Sequence, residues 1–274
     1  MVQFYDRLNS RTVLDANTAG LATRVKIICA IVLLLMSLGD ISATKAVSAP
    51  TPLALDGLGT HTTCTSRSVT TNNQICDAQL LTTTRGNDVI ILVAQCGCDG
   101  ISSIIDSSGL TFTQRISYGS GNFLGDMLWE YYARATSRLI SENITVVFST
   151  DTWRHGIQVF GVKGANTRSI FDPGPNIPAT ATCPGVGLLP CSISIQTSTI
   201  DFVVAGTAIN DAGACGDGLG GVPGFTTIMA NNGWFDAYYA ITTVPKSNVA
   251  FNCDGTDVTA ILVDAISFRG AFGI

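Results

Sequence analysis

The sequence predicts an all-β protein, a two-sheet, jelly-roll-like β-sandwich built from two related halves and preceded by an N-terminal leader helix. Three observations predict this fold. Polarity is carried by 32 threonines and 21 serines, whereas charged residues form only 13% of the chain, and this composition favours strands over helices. Short apolar runs of strand length alternate with Gly, Asn, Asp and Pro, with hardly any helical period. Similar strand motifs also recur at a nearly constant spacing.

The length and charge balance exclude two broad classes of protein. A chain of 274 residues with 46% hydrophobic content has ample material for a core, which rules out intrinsic disorder. The net charge is -5 and the pI is about 4.8. Because phosphate binding requires a clustered basic face and the chain has no run of Lys or Arg, we expect no nucleic-acid partner.

Residues 1–46 have the organisation of a secretory leader. Arg24 and Lys26 precede an apolar run at residues 27–38, and small residues follow, which is the order of an export signal. A helix of that length rises only about 18 Å, short of the roughly 30 Å hydrocarbon core. We therefore expect export with leader removal, an extracellular or cell-surface location, and no membrane association afterwards. A retained anchor is the alternative interpretation.

Residues 47–63 are predicted to form an extended N-terminal arm. Pro50 and Pro52 prevent a helix and disfavour a central strand, so the segment should be an arm or an edge strand. Pro52, Leu53 and Leu55 are the candidate residues of an inter-subunit strand that adds to a neighbour's sheet. The β-sandwich domain would then comprise residues 64–274.

Two series of strands are predicted in that domain. The first half, about residues 78–165, contains runs of strand type at 88–95, 110–117, 126–135, 143–149 and 156–163. The second half, about residues 192–271, contains similar segments that begin at Asp201, Phe235 and Val258. The Pro- and Gly-rich residues 171–190 connect the halves.

The two series match at three points. Asp88 matches Asp201, Tyr131 matches Tyr238, and Val162 matches Phe268, at spacings of 113, 107 and 106 residues. This near-constant spacing indicates duplication of a unit of five or six strands. Because each strand carries an apolar face, two sheets packed about 10 Å apart are expected.

The cysteines predict a disulfide framework. Of the nine cysteines, Cys29 lies in the leader, and the other eight form an even set: Cys64, Cys76, Cys96, Cys98, Cys183, Cys191, Cys215 and Cys253. In an exported chain this set indicates up to four disulfides, with 105 possible pairings. The short separations favour two local loops, Cys64 with Cys76 and Cys183 with Cys191, leaving the other four for long-range links. No Cys-x2-Cys pair occurs, so no metal site is predicted.

Several of these segments together resemble a known type of module. The motifs are Asn87-Asp88-Val-Ile-Ile, the segment 105–113 around Gly109, Trp129-Glu-Tyr-Tyr-Ala and Ile144-Thr-Val-Val-Phe. They resemble a concanavalin-like jelly-roll β-sandwich module of secreted prokaryotic surface proteins, over roughly residues 80–270. The leader, the low-charge Thr-rich domain and the extended arm are also similar to subunits of archaeal extracellular filaments. The resemblance implies surface display rather than a particular reaction.

Catalytic chemistry has few candidate residues. A Ser-His-acid set requires a histidine, and only His61 and His155 occur, without a Gly-x-Ser-x-Gly motif. A glycoside hydrolase would need two carboxyl groups, of which Glu130 is the best candidate for the acid. Because strand faces alternate, Glu130 should point away from Trp129 and Tyr131 toward solvent. We expect no enzyme.

Binding sites are weakly indicated. Trp153, Trp234 and the Tyr pairs could stack on glycans, although aromatic residues in strands are usually core. Calcium could bind loops such as Asn210-Asp211 with Asp217, or 254–257, where Asp and Gly are also ordinary turn residues; no cofactor is expected otherwise. Asn143-Ile-Thr145 is an N-glycosylation pattern.

The combined expectation is a non-enzymatic extracellular structural protein, a self-assembling filament or cell-surface subunit that uses its N-terminal strand to join neighbours. A chain with few charges and high apolar content would expose adhesive surface as a monomer, and burial against copies of itself removes that exposure. The partner is then the chain itself, in a homopolymer or a surface lattice. The alternative is a carbohydrate-binding or adhesive surface module with glycans as partners, and a glycoside hydrolase is a third hypothesis.

Overall fold

The computed structural model describes residues 51–64, 75–120, 126–149, 154–210, 213–216, 221–231 and 234–270. These residues confirm the all-β prediction, whereas the predicted leader helix lies outside them. The strands are β1 (Ala54–Leu58), β2 (Thr60–Thr62), β3 (Cys76–Leu81), β4 (Asp88–Cys96), β5 (Ile101–Asp106), β6 (Thr113–Gly119), β7 (Met127–Ala135), β8 (Glu142–Phe148), β9 (His155–Lys163), β10 (Ala179–Thr182), β11 (Cys191–Thr197), β12 (Asp201–Ile209), β13 (Thr226–Asn231), β14 (Phe235–Ile241), β15 (Lys246–Cys253) and β16 (Val258–Ser267). The described part of the chain contains no helix with the length and apolarity needed to cross a bilayer.

The strands form antiparallel sheets that stack in layers. Inner sheet 1 has the order β1-β9-β4-β7-β6, and inner sheet 2 has the order β10-β16-β12-β14-β13. Outer sheet 1 has the order β2-β3-β8-β5 and packs on inner sheet 1, while outer sheet 2 is the pair β11-β15 and packs on inner sheet 2. The described strands thus form four sheets where two were predicted. The reason is that each inner sheet is apolar on both faces and packs against two partners.

Three apolar layers hold the stack together. Val89, Ile91 and Val93 of β4 point into the layer between the inner sheets, and Ile90 and Leu92 point into the layer beneath outer sheet 1. The third layer lies between inner sheet 2 and outer sheet 2. Every residue of β4, β12 and β16 is buried. A strand covered on both faces must be apolar at consecutive positions, which explains the unbroken run at the centre of β4.

The two inner sheets correspond strand for strand. β4 pairs Ile91 with Tyr132 of β7, and β12 pairs Val204 with Tyr239 of β14. Each edge strand also carries a register shift at the same place, after Gln114 in β6 and after Thr227 in β13. The inner sheets therefore share their strand order, their register and an irregularity.

One of the three sequence matches is two residues off. Val89 pairs with Val162 in β9, and the corresponding Phe202 pairs with Ile266 in β16. Val162 therefore corresponds to Ile266 and not to Phe268. The similar motifs Val162-Lys-Gly-Ala and Phe268-Arg-Gly-Ala do not occupy equivalent positions in the two sheets; they meet each other, with Ala165 forming a bridge to Phe268.

The disulfides of the described residues all lie at one end of the stack. They join Cys64 to Cys76, Cys96 to Cys98, Cys183 to Cys191 and Cys215 to Cys253. We call this the disulfide end, where β4 and β12 finish, and the opposite end, where β1 begins, the arm end. Four disulfides indicate an oxidising environment. The long-range links predicted for Cys96 and Cys98 are wrong: their separation of two residues closes a local loop after β4.

Replacing Phe202 tests whether the layer between the inner sheets carries the fold. Phe202 is fully buried, stacks on Tyr239 at 4.9 Å and lies 5.9 Å from the ring of Phe160. We expect Phe202→Ala to lower the free energy of unfolding by about 3–5 kcal/mol, because it removes this ring and leaves a cavity. Ile140 is 70% exposed and provides the control. Ile140→Ala should change the free energy of unfolding by about 0.5 kcal/mol or less. Urea unfolding without reductant measures the free energy of unfolding of both variants. Equal losses in the two variants would contradict the assignment of Phe202 to the layer that carries the fold.

Candidate functional site: the β1 strand and its buried carboxyl pair

The predicted inter-subunit strand lies at an edge of inner sheet 1. β1 pairs with β9 of the same chain, Ala54 opposite Lys163 and Leu55 opposite Val162. Leu53 is buried and Leu55 packs beside it in the layer between the inner sheets, whereas Pro52 is exposed. The three candidate residues therefore dock on their own chain in this structure. β1 is an edge strand that completes the apolar core.

Glycines let the arm approach β9 closely. A Cβ added at Gly161 would lie 2.4 Å from the backbone oxygen of Asp56, and a Cβ at Gly164 would lie 2.7 Å from that of Pro52. Real Cβ atoms essentially never lie this close to a backbone atom. Glycine at these two positions therefore permits β1 to dock.

Asp56 points from β1 away from the layer that holds Leu55, because successive side chains of a strand alternate. It is 2% exposed. Its carboxylate accepts hydrogen bonds from the backbone N–H and the Oγ1 of Thr84 and lies 4.0 Å from Nζ of Lys163. Burial raises the pKa of Asp56, but the hydrogen bonds from Thr84 and Asp88 and the charge of Lys163 outweigh it, so the pKa is lowered. Asp56 is therefore the ionised member of a pair.

Asp88, the first residue of β4, is the member of that pair that holds its proton in acid. It is 1% exposed, and its oxygens accept no hydrogen bond. Burial raises the pKa of Asp88 to about 7, and the hydrogen bond to Asp56 and the charge of Asp56 add to the rise. A carboxyl group that keeps its proton can donate to the Asp56 carboxylate. With that proton in place, Asp88 would tie the edge strand β1 to the central strand β4.

The second half contains an equivalent pair, Asp172 and Asp201. Phe171 bridges Ile266 just as Leu55 pairs with Val162, which places Asp172 at the position of Asp56. Asp172 accepts hydrogen bonds from the backbone N–H groups of Gly174, Ser198 and Thr199. Burial raises the pKa of Asp172, but the hydrogen bond from Ser198 Oγ and these three backbone bonds together outweigh burial, so the pKa is lowered.

Asp201 corresponds to Asp88 at the start of β12. Burial raises the pKa of Asp201 to about 7, and the charge of Asp172 and a hydrogen bond to it contribute to the rise. Both inner sheets therefore begin their central strand with a carboxyl group whose pKa is raised to about 7, next to a carboxyl group whose pKa is lowered.

A third carboxyl pair lies between the inner sheets. Glu130 of β7 and Asp264 of β16 are both fully buried, and Nε of Arg115 lies 2.8 Å from Oδ2 of Asp264. The pKa of Glu130 is raised well above its usual value, first by burial and then by the charge of Asp264. Burial also raises the pKa of Asp264, but the direct contact with Arg115 opposes that rise, so we expect the proton of the pair on Glu130 and the charge on Asp264.

The predicted solvent orientation of Glu130 is wrong. Glu130 does point away from Trp129, but inner sheet 2 covers that face. Both carboxyl groups of the pair are enclosed, so neither is open to a polysaccharide chain in this structure.

The other candidate residues have separate environments. His61 is exposed on β2, and Nδ1 of His155 lies 2.7 Å from Oδ2 of Asp77. Tyr238 is buried, and Trp234 is partly buried. Trp153 and the calcium candidates Asp211 and Asp217 lie outside the described residues.

Two further candidates have partners within the chain. Asp257 accepts a hydrogen bond from the backbone N–H of Leu188, which lies in the loop between Cys183 and Cys191. Asn143 is partly buried on β8, where its side-chain oxygen accepts a bond from Thr145 at 3.4 Å. Neither geometry points to a bound ligand.

The carboxyl pairs suit a shared proton better than a metal ion. Both oxygens of Asp172 already accept bonds from N–H and O–H donors, including Ser198 Oγ and Thr199 Oγ1. A donor-saturated carboxylate has few lone pairs left for a cation, which usually takes six or more oxygen ligands. Within the described ranges, no cluster of three or more His, Cys, Asp or Glu side chains is arranged to hold a metal.

Asp56 and Asp172 were not predicted from the sequence, although Asp88 was matched with Asp201. The available signal was an Asp preceded by an apolar residue ahead of each half, in Leu55-Asp56 and Phe171-Asp172. That signal is short and also typical of turns. Only the pairing of these segments with β9 and β16 shows that the two Asp residues occupy equivalent positions.

Comparisons of this chain with models of protein families, with curated proteins and with solved structures found no match.

Substitutions in the Glu130–Asp264 pair should have unequal effects. We expect Glu130→Gln to change the free energy of unfolding at pH 5 by less than about 1.5 kcal/mol, because the amide is similar in shape and still donates to Asp264. Asp264→Asn should cost about 3–5 kcal/mol, because it leaves Arg115 without an ionised partner. Denaturant unfolding of both variants and the parent chain measures the difference. Losses of equal size would contradict this placement of the proton.

Proposed function

We propose that this protein is a non-enzymatic extracellular structural subunit that assembles with copies of itself by exchanging its N-terminal strand. The observation that carries the proposal is the position of β1, an edge strand that contributes Leu53 and Leu55 to the core. A β1 donated by a second copy would make the same contacts as the chain's own β1. Exchange of an identical element is a low-cost route to association.

The Cys64–Cys76 disulfide supports a defined hinge for this exchange. It anchors the base of the arm to the start of β3 in the same chain. Exchange would therefore move only the residues before Cys64, while the rest of the sandwich stays closed. Repeated head to tail, such an exchange gives an open polymer.

An exposed apolar loop supports self-association at the disulfide end. Val186, Leu188 and Leu189 lie between Cys183 and Cys191 and are 48%, 58% and 52% exposed. Exposed large apolar side chains that neighbour one another commonly mark interaction surfaces. Because the disulfide closes the loop that carries them, association there costs less chain ordering.

Two finer features of the fold belong to the proposal. The alternation of β1, β3, β4 and β5 between inner sheet 1 and outer sheet 1 supports a jelly-roll connectivity. The shared strand order and the repeated carboxyl pairs support an origin by duplication of one unit. The enclosure of Glu130 and Asp264 supports a structural rather than a catalytic role.

Cross-linking of β1 to β9 distinguishes exchange from closure on the same chain. The double variant Ala54→Cys, Lys163→Cys places two thiols at paired positions. In assembled material oxidised after assembly, we expect a ladder of covalent multimers on a non-reducing gel. The double variant Ala179→Cys, Val263→Cys is the matched control in β10 and β16, and it should give monomers only. Monomers from both variants would overturn the proposal, as would a failure of the purified chain to form any assembly.

Gly161→Ala tests the same docking surface without new thiols. The added methyl group would meet the backbone of β1 wherever that strand comes from, so we expect less assembly and a free energy of unfolding lower by about 1–3 kcal/mol. Gly270→Ala is the control, since nothing lies within 4 Å of its added Cβ. Assembly can be quantified by sedimentation. Undiminished assembly of Gly161→Ala would argue against β1 as the joining strand.

A further inference from the structure

We propose that the proton shared by Asp56 and Asp88 is a pH-sensitive lock on β1, which holds the strand firmly in acid and releases it as the medium becomes neutral. The lock is a property of the single chain. Its use in controlling assembly rests on the proposed function, but the lock itself does not.

The geometry confines the lock to one strand. Asp56 is the buried carboxylate of β1, and Asp88 is the first residue of β4, two strands away across β9. Both carboxyl groups are buried, and the side chain of Asp88 has no other hydrogen-bond partner, so a hydrogen bond from its proton to Asp56 would join the edge of the sheet to its centre. If Asp88 loses its proton while β1 is docked, two negative charges face each other in an enclosed space. Detachment of β1 exposes both groups to water and removes this repulsion.

Few other charges face the pair. Lys163, at the end of β9, lies by Asp56, and Arg85, in the turn before β4, donates from Nη1 to Thr51 Oγ1 at 2.7 Å. Both cations oppose the rise in the pKa of Asp88 but do not cancel it. On β7 the residue opposite Asp88 is the uncharged Ala135. Glu142, on β8 of the covering sheet, accepts bonds from the backbone N–H groups of Ser107 and Ser108.

The direction of the effect follows from linkage. The pKa of Asp88 is about 7 with β1 docked, against 3.8 for the group in water. The docked state thus holds the proton more tightly, and its advantage is complete below pH 3.8 and is lost as the pH rises through 7. Asp56, whose pKa is lowered, remains ionised in both states across the upper part of this range. With those two pKa values, opening of β1 should increase about 90-fold from pH 5 to pH 8.

Hydrogen–deuterium exchange of the monomeric chain tests the lock. Rates for residues 54–58, corrected for the intrinsic effect of pH, should show β1 opening about 90-fold more at pH 8 than at pH 5. Asp88→Asn, which cannot ionise, should reduce that change to less than about threefold, because an amide donates to Asp56 at either pH. Asp201→Asn alters the equivalent pair in the other half and should leave the response of β1 intact. An unchanged rate in the parent chain, or an equal response in Asp88→Asn, would overturn the proposal.

A second measurement uses the parent chain, so it does not require any variant to fold. The carboxyl carbon of Asp88, followed by NMR in the parent chain, should titrate with a midpoint near 7. A midpoint near 4 would also overturn the lock. Suppose that hydrogen–deuterium exchange of β1 changes with pH as expected, but the cross-linking experiment yields monomers only. The lock then stands, and the proposed mode of assembly fails.

Discussion

Burial of the inner sheets on both faces is the constraint on which the rest of this structure depends. A sheet with one wet face can place its polar side chains outward, but β4, β12 and β16 have no such face. Any carboxyl group on these strands must either keep its proton or be paired with a cation inside the protein. Asp88 and Asp201 follow the first course and Asp264 follows the second. The low fraction of charged residues in the chain, 13%, is consistent with the same constraint.

The buried carboxyl groups also explain why the two ends of the molecule differ. At the arm end, buried carboxyl pairs lie between the segments before each half and the central strands. At the disulfide end, covalent links close the loops, and Cys191 lies directly opposite Cys253 at the ends of β11 and β15. We expect the first kind of link to respond to pH and the second to respond to reductant. The strand exchange proposed for β1 is compatible with the reversible kind of link.

The sequence predicted the inner strands far better than the outer ones. The apolar run of β4 and the aromatic run of β7 are distinctive, because a doubly covered strand is apolar at consecutive positions. β5 reads Ile-Ser-Ser-Ile-Ile-Asp and β11 reads Cys-Ser-Ile-Ser-Ile-Gln-Thr. Such strands are half exposed and rich in Ser, so they lack the unbroken apolar run that distinguishes the inner strands. The error over Glu130 has the same origin, since alternation along a strand indicates which residues share a face but not what covers that face.

By itself, the sequence determined the all-β class, the cysteines able to cross-link, the positions of the long apolar strands and the match between Asp88 and Asp201. These properties depend on composition, periodicity and spacing, which are local. Only the tertiary structure decided that the strands form four layers, that Cys96 pairs with Cys98, and that Asp56 reaches Asp88. These features depend on which surfaces meet. Asp56 and Asp88 are 32 positions apart in the sequence, and their strands β1 and β4 both pair with β9. No local pattern in the sequence indicates that arrangement.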